Sequence, residues 1–431
     1  MELSLKASTE FGLSDEELIA GMSGLLDAHP AKRVLILPPD YTRYHSKAGF
    51  LTNVCYRHYA SGGAEVNILP TLGTHRPMTR DEVADMFGDV PFERVFAHNW
   101  REDVETIGRI PSEFLTEISE GLWTEAIDVQ VNHMLLEESC DLILSIGQVV
   151  PHEVAGMSNQ AKNVFIGAGG AEMINKTHML GAVCGMERAM GRDHSPVRKV
   201  LDYALTHFFA DKPLLFLLTV TTAPENITRT HGLFCGAERD ALEAAISLAQ
   251  EKNIDFVTRG LKKCIVYLDP SEFHSTWLGN KAIYRTRMAM ADGGDLIILA
   301  PGLETFGEDA RVDALIRKFG YCGRDQTLAY YRDPACENLR ANMGAAAHLI
   351  HGSSDGRFRV TYAVQPNMRT QIENVHFLSA DIDEMMLRYN PEKLVYGKNI
   401  MPDGEEIFFI PNPALGLWID RERFEREGDL I

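Results

Sequence analysis

Between Pro151 and His178 the chain reads PHEVAGMSNQAKNVFIGAGGAEMINKTH, which spaces two histidines and a lysine around a glycine cluster. Imidazole can take and return protons near neutral pH, so histidines set beside strands are candidates for acid–base work. His152 directly follows the apolar run DLILSIGQVV (141–150). That puts it in the loop at the C-terminal end of a buried strand, where open α/β sheets hold their ligands. Lys162 and His178 follow ten and twenty-six residues later, too far apart for one helix face. If the three act together, they converge through the fold.

A second cluster lies in the first hundred residues. The strand-like RVLILPP (33–39) ends in Asp40-Tyr41-Thr42-Arg43, and AEVNILPT (64–71) ends in Leu72-Gly73-Thr74-His75-Arg76-Pro77. Polar residues directly after apolar strands read as a site, because the strands fix them and the loops expose them. Asp40 and Arg43 read equally as a local salt bridge that caps a turn.

The elements that must position these residues follow from periodicity. Runs at 33–39, 65–71, 94–98, 128–134, 141–147 and 213–222 predict strands, with helices over 47–61, 79–87, 196–208 and 237–252. A second series begins near 264–270 and continues through 295–302, 359–365, 374–380 and 393–397; the run at 405–413 could return to the first unit. Strands alternating with helices give mostly parallel sheets. The expectation is an α/β protein of two α/β domains, an N-terminal one over 1–265 that 405–431 could complete and a second over 266–404.

Bulk composition narrows the class. The chain has 431 residues, 45% hydrophobic and 24% charged, enough for two or three cored domains. A net charge of −19 argues against nucleic acid or an anionic membrane as partner, since phosphate recognition needs a basic surface. A small anion held by a few local cations is compatible with it. The start, MELSLKASTEFGLSDEEL, has no basic segment ahead of an apolar core, and no run reaches membrane-spanning length, so the cytoplasm is the default location. The 7 cysteines are odd in number and lack any CxxC pair, which is neither a disulfide framework nor a zinc ribbon. A metal would need donors other than protein thiolates.

Taken together, the motifs resemble those of the nickel-pincer lactate racemases and their 2-hydroxyacid racemase and epimerase relatives. That family carries an Asp-x-Thr-Arg motif after its first strand, a histidine in a Gly-x-His-Arg context, and Pro-His-x-x-Ala-Gly-x-Ser followed by a lysine and a histidine. Here Asp40, Thr42 and Arg43 are followed in order by Gly73-Thr74-His75-Arg76, and then by Pro151, His152, Ala155, Gly156, Ser158, Lys162 and His178.

The resemblance implies that the N-terminal domain is cofactor-binding, with the substrate cleft between the two domains closed by 266–404, and that the cofactor is a pyridinium mononucleotide with thioamide and thiocarboxylate arms that holds nickel(II). Lys162 matches the lysine that forms the thioamide, and His178 the histidine that ligates nickel; Asp40 and Thr42 fall on the cofactor side. His75 and His152 match the pair that moves the hydroxyl proton while hydride leaves and returns to C2. Arg43 and, less directly, Lys281 in HSTWLGNKAIYRTRMAMADGG (274–294) match groups that grip the substrate's carboxylate. Proteins of cofactor biosynthesis are implied partners. Leu278 stands where lactate racemases have glutamine, and the region of Asn338-Leu339 lacks their tryptophan, so a 2-hydroxyacid longer than lactate is expected. Trp277 either packs in a hinge or lines the pocket. Gly167-Ala168-Gly169-Gly170 lacks a strand–Gly-x-Gly-x-x-Gly–helix context and reads as a turn that lets backbone approach the cofactor. Two other readings are a divalent-metal isomerase or hydrolase using His75, His152 and His178 as ligands, and a non-catalytic cofactor-binding protein.

Overall fold

Leu142–Gln148 and Leu214–Thr222 are buried along nearly their whole lengths. Strands of this kind sit at the centre of a sheet covered on both faces, which favours parallel pairing. A computed structural model of the chain, describing residues 1–224 and 227–428, places them side by side in a six-stranded sheet. In spatial order its strands are Leu3–Lys6, Arg229–Gly236, Leu214–Thr222, Leu142–Gln148, Arg33–Leu37 and Glu65–Ile68. The last four pair in parallel, and the first two close that edge antiparallel. Helices Asp15–Ala28, Ala48–Ser61 and Arg80–Phe87 cover one face through a core that includes Met22, Leu26, Ile36, Leu51, Phe87 and Leu144. Two of these helices start at reciprocal capping boxes, Ser14 with Glu17 and Thr79 with Glu82.

The second sheet runs Leu378–Asp381, Arg359–Val364, Met290–Leu299, Leu261–Tyr267, Glu406–Ile410 and Gly397–Ile400, parallel except for the last pair. The α/β class with mostly parallel sheets is therefore observed. Two compact units divide the chain, Met1–Thr177 with Ala189–Asn253, and His178–Arg188 with the residues from Ile254 onward. The division thus comes ahead of residue 265, because the second sheet is built around Leu261–Tyr267.

Some expectations require correction. The 405–413 run does not return to the first sheet; Glu406–Ile410 pairs in parallel with Leu261–Tyr267 in the second. Residues 94–98 form no strand and contribute a single bridge, Val95 to Ile68. The strand foreseen at 128–134, observed as Ile127–Asn132, lies outside the main sheet and pairs with Val104–Ile110 as a two-stranded ribbon. At 393–397 the chain turns, and the edge strand begins only at Gly397.

Candidate functional site

Three neighbouring parallel strands deliver the first-unit candidates. From Arg33–Leu37 the chain crosses to Glu65–Ile68 on one side, and from Leu142–Gln148 to Leu214–Thr222 on the other. The adjacent pair Arg33–Leu37 and Leu142–Gln148 therefore flanks a topological switch point, whose C-terminal crevice is the ligand position of open α/β sheets. Asp40 follows the first of these strands, His152 the second, and His75 follows Glu65–Ile68.

Asp40 and His75 are brought into direct contact. The buried Asp40 caps the 3₁₀ turn Tyr41–Ser46, accepting from Thr42 N–H at 3.1 Å and from the Thr42 hydroxyl. Its other oxygen lies 2.5 Å from His75 Nδ1. The turn cap is thus completed by Thr42, not by a salt bridge to Arg43. Burial opposes ionisation of Asp40, yet the hydrogen bonds from His75 and Thr42 outweigh it and hold the carboxyl below its usual range. With Nδ1–H aimed at a carboxylate, the working nitrogen of His75 is Nε2. The loop carrying His75 is pinned on both sides: Gly73 N–H donates to Gly167 O at 2.8 Å, and Arg76 grips Glu82 at 2.6 Å. The Arg43 guanidinium is exposed and makes no hydrogen bond or ion pair among the described residues.

His152 sits on a small hairpin that accounts for the spacing of its motif. Pro151–His152 pairs antiparallel with Gly156–Met157. Gly156 has φ +82°, and a Cβ there would lie 2.4 Å from Arg192 O. Ser158 closes the hairpin, its hydroxyl donating to Gln148 O at 2.7 Å and accepting from Val150 N–H at 3.0 Å. His152 Nδ1 accepts the backbone N–H groups of Val154 (3.1 Å) and Ala155 (3.3 Å). Because a backbone N–H only donates, the neutral ring carries its proton on Nε2. In both histidines, therefore, Nδ1 is engaged by the scaffold, and the neutral ring leaves Nε2 unprotonated in His75 and protonated in His152.

Lys162 opens a single π turn, Asn163–Gly167, an element often found at functional sites. The lysine is half-buried, and burial, reinforced by the Arg43 charge, pushes its ammonium down to about 8, with Glu153 opposing and Arg198 adding to the shift. Asn159 and Gln160, just before it, both lie in the left-handed region at φ +69° and +57°. For non-glycine residues this costs on the order of 1 kcal/mol or more each. The glycine cluster proves to be close-packed against protein: Cβ atoms would come within 2.5 Å of Thr71 at Gly167, 1.9 Å of Phe165 O at Gly169 and 2.4 Å of Gln130 at Gly170. Its small residues are thus explained by packing alone.

Two supporting residues escaped the sequence reading. Arg198, fully buried, donates to Met157 O and Gln160 Oε1 under the turn before Lys162. His98, also buried, lies 3.0 Å from Gly169 O through Nε2 and 2.9 Å from Asn132 Nδ2 through Nδ1. The available signal for Arg198 was a charge among the apolar positions Val197, Val200, Leu201 and Ala204 of its helix; His98 offered none.

The other candidates lie in the second unit. His178 is half-buried on helix Ala171–Cys184, within which the division between units falls. Lys281 is half-buried at the start of helix Lys281–Thr286, just after Thr276–Gly279, which carries Trp277 and Leu278. Trp277 stacks on His348, ring centres 4.2 Å apart, and His348 Nε2 lies 3.0 Å from the Tyr321 hydroxyl. Among the described residues no helix is long and apolar enough to cross a membrane.

Comparison with known proteins places this geometry in context. Residues 23–191 match the family model of the lactate racemase N-terminal domain. A lactate racemase of Thermoanaerobacterium thermosaccharolyticum is 26% identical over 188 residues, and the match spans 41% of this chain and 41% of that protein. A crystal structure of a Thermotoga maritima protein aligns with a TM-score of 0.73 at 24% identity, covering 96% of this chain and 99% of its own. The lactate racemase apoprotein of T. thermosaccharolyticum aligns at 0.70 with 18% identity, covering 94% and 93%. At these identities the two structural likenesses establish the fold.

Proposed function

We propose, from the match of residues 23–191 to the lactate racemase N-terminal domain model, an isomerase that inverts C2 of a 2-hydroxyacid. The observation that carries this reading is the pair of histidines that follow the two strands flanking Arg33–Leu37, each with Nδ1 engaged by the scaffold. Inversion moves the hydroxyl from one face of C2 to the other. One base must therefore take the hydroxyl proton of one stereoisomer while a second group returns a proton to the other. His75, with an unprotonated Nε2, and His152, with Nε2–H, are proposed for these roles, and they exchange them when the reaction reverses, which for His152 requires its Nδ1 to give up the Val154 and Ala155 N–H groups. Asp40, behind His75, fixes its tautomer and orientation, so its part is played through the histidine.

The group that fits here is a nickel-pincer nucleotide, pyridinium-3-thioamide-5-thiocarboxylic acid mononucleotide with Ni(II). When bound, it would supply a reversible acceptor for the C2 hydride. The donor set suits it. An amine pushed down to about 8 keeps a useful neutral fraction near physiological pH, which a covalent thioamide tether at Lys162 needs. Sulfur donors carried by the cofactor leave only one position for protein, for which His178 is proposed. Among the described residues, one group of three donors is close enough to hold an ion by protein alone, Asp193, His194 and Glu243. It contains none of the candidate histidines, and Arg239 already pairs with Asp193 at 2.5 Å and Glu243 at 3.2 Å.

Arg43, an exposed guanidinium with no hydrogen bond or ion pair among the described residues, is proposed to hold the substrate's carboxylate, with Lys281 as a second cation. Leu278 in place of a polar residue on this side supports a substrate longer than lactate.

Intact mass and metal analysis on protein made in cells that possess the cofactor pathway test the reading. The expected result is an adduct on the Lys162 peptide with about one nickel per chain, both lost in Lys162→Ala. Stoichiometric zinc on an unmodified Lys162 would replace this reading with a divalent-metal one. Across a panel of 2-hydroxyacids, kcat/KM should be higher for at least one substrate longer than lactate; activity on lactate alone would overturn the substrate assignment and leave the cofactor assignment standing.

A further inference from the structure

Arg198 stands on the first turn of helix Pro196–Phe208 with no exposed surface. Its hydrogen bonds all go to neutral oxygens. Nη2 donates to Met157 O at 2.7 Å and to Asn159 O at 3.3 Å, and Nη1 donates to Gln160 Oε1 at 3.3 Å; Nε has no partner. Asp202 and Asp193 act on it only at longer range. Desolvating a guanidinium without a bonded carboxylate is unfavourable, so an ion pair does not account for an arginine here.

What it grips does. Asn159 and Gln160 are consecutive non-glycine residues in the left-handed region, a backbone path that needs external support. The chain leaves this turn directly into Lys162. Lys162 N–H donates to Asn159 O at 3.3 Å, so the same carbonyl serves Arg198 and the lysine's own backbone. Asn163 N–H donates to Gln160 O at 2.9 Å, continuing the turn. One residue ahead of the helix, Ser195 caps Arg198 N–H and donates to Ala155 O at 3.0 Å. The start of this helix thus clamps the 155–160 loop at both ends.

We propose that Arg198 is a positioning residue that locks the left-handed turn Asn159–Gln160 and so presents the Lys162 amine in one reactive orientation. This rests on, and deepens, the reading of Lys162 as the point of covalent attachment. The charged groups acting on Lys162 are Arg43 and Arg198, which favour the neutral amine, and Glu153, which opposes them.

The test uses full-length protein from a host without the cofactor pathway. Acylation by an N-hydroxysuccinimide ester is followed at the Lys162 peptide by mass spectrometry as a function of pH, in wild type, Arg198→Lys and Arg198→Met. Wild type should label with a midpoint near pH 8. Arg198→Met should fold, label roughly tenfold more slowly at pH 8, and shift its midpoint toward the ordinary lysine value of about 10.4. Arg198→Lys, with the charge but not the fork, should fall between. Wild-type rate and midpoint in a folded Arg198→Met would overturn the proposal. Should that variant not fold, Arg198→Lys decides: a rate and midpoint equal to wild type overturn it, and a slower rate with a raised midpoint supports it. The two readings fail separately. An unmodified Lys162 in holoprotein removes the tether while leaving an Arg198-dependent amine. An adduct on Lys162 together with identical labelling in all three proteins removes only Arg198's role.

Discussion

At the scale of single residues, the site is defined by which nitrogen of each imidazole the scaffold occupies. Replacing His75 or His152 by alanine is expected to leave the Lys162 adduct and nickel in place while lowering turnover by roughly 10²–10⁴-fold, the usual worth of a positioned base. Each variant should fail in both directions, because in the proposed scheme each ring is base one way and acid the other. Asp40→Asn should also slow turnover with loading retained, since an amide that turns its NH₂ toward His75 Nδ1 reverses the tautomer and disables Nε2 as a base. Deuterium placed at C2 should be largely retained in product; its rapid loss to solvent would show proton abstraction at carbon and sink the hydride reading. Types and order of the candidates were legible in the sequence, since Asp40, His75 and His152 stand directly after apolar runs. Their tautomers were not, because these depend on a contact thirty-five positions away in one case and on hairpin N–H groups in the other.

At the scale of elements, the hairpin under His152 offers the sharpest check. Gly156→Ala would place a methyl 2.4 Å from Arg192 O and 2.7 Å from Ala189 O at φ +82°, and both neighbours are backbone that cannot turn aside. The expected loss is roughly 2–4 kcal/mol of stability in denaturant unfolding, accompanied by poorer loading of Lys162. A stability equal to wild type would mean that the hairpin is not held as described. The central parallel strands were readable because they are buried on both faces and appear as unbroken apolar runs. The ribbon Val104–Ile110 with Ile127–Asn132 was half-missed for the opposite reason: Val104–Ile110 is mostly half-exposed or exposed, and its sequence, VETIGRI, has a glycine at a register shift. The strand expected at 94–98 failed because its apolar residues serve one bridge and a buried histidine contact instead of a ladder. Placement of the 405–413 strand needed a partner choice that local pattern does not encode.

At the scale of the whole molecule, the balance of buried histidines and ionised carboxylates sets how stability responds to pH. Burial, with His351 nearby, pushes the His348 imidazole in the second unit down to about 3, whereas a histidine in the unfolded chain titrates near 6.5. Between those values the unfolded state binds a proton that the folded state refuses. Stability therefore falls as pH drops from about 6.5 toward 3, by on the order of a few kcal/mol, and this group is silent above that window. His98 shifts in the same direction by burial. Carboxyls held low by their partners, such as Asp40 and Glu405, add their loss only at more acid pH, so the interval from 6.5 to 4.5 isolates the histidines. The neutral His348 ring is also the plate on which Trp277 stacks and a partner of the Tyr321 hydroxyl, so protonation would disturb the side chains next to the helix that carries Lys281. Thermal unfolding of wild type and His348→Gln at several pH values across this interval separates the contribution. The variant, whatever its absolute stability, should lose less of it on acidification than wild type. Equal slopes would show that His348 does not hold its neutral form against protonation, and the buried stack would then need another explanation.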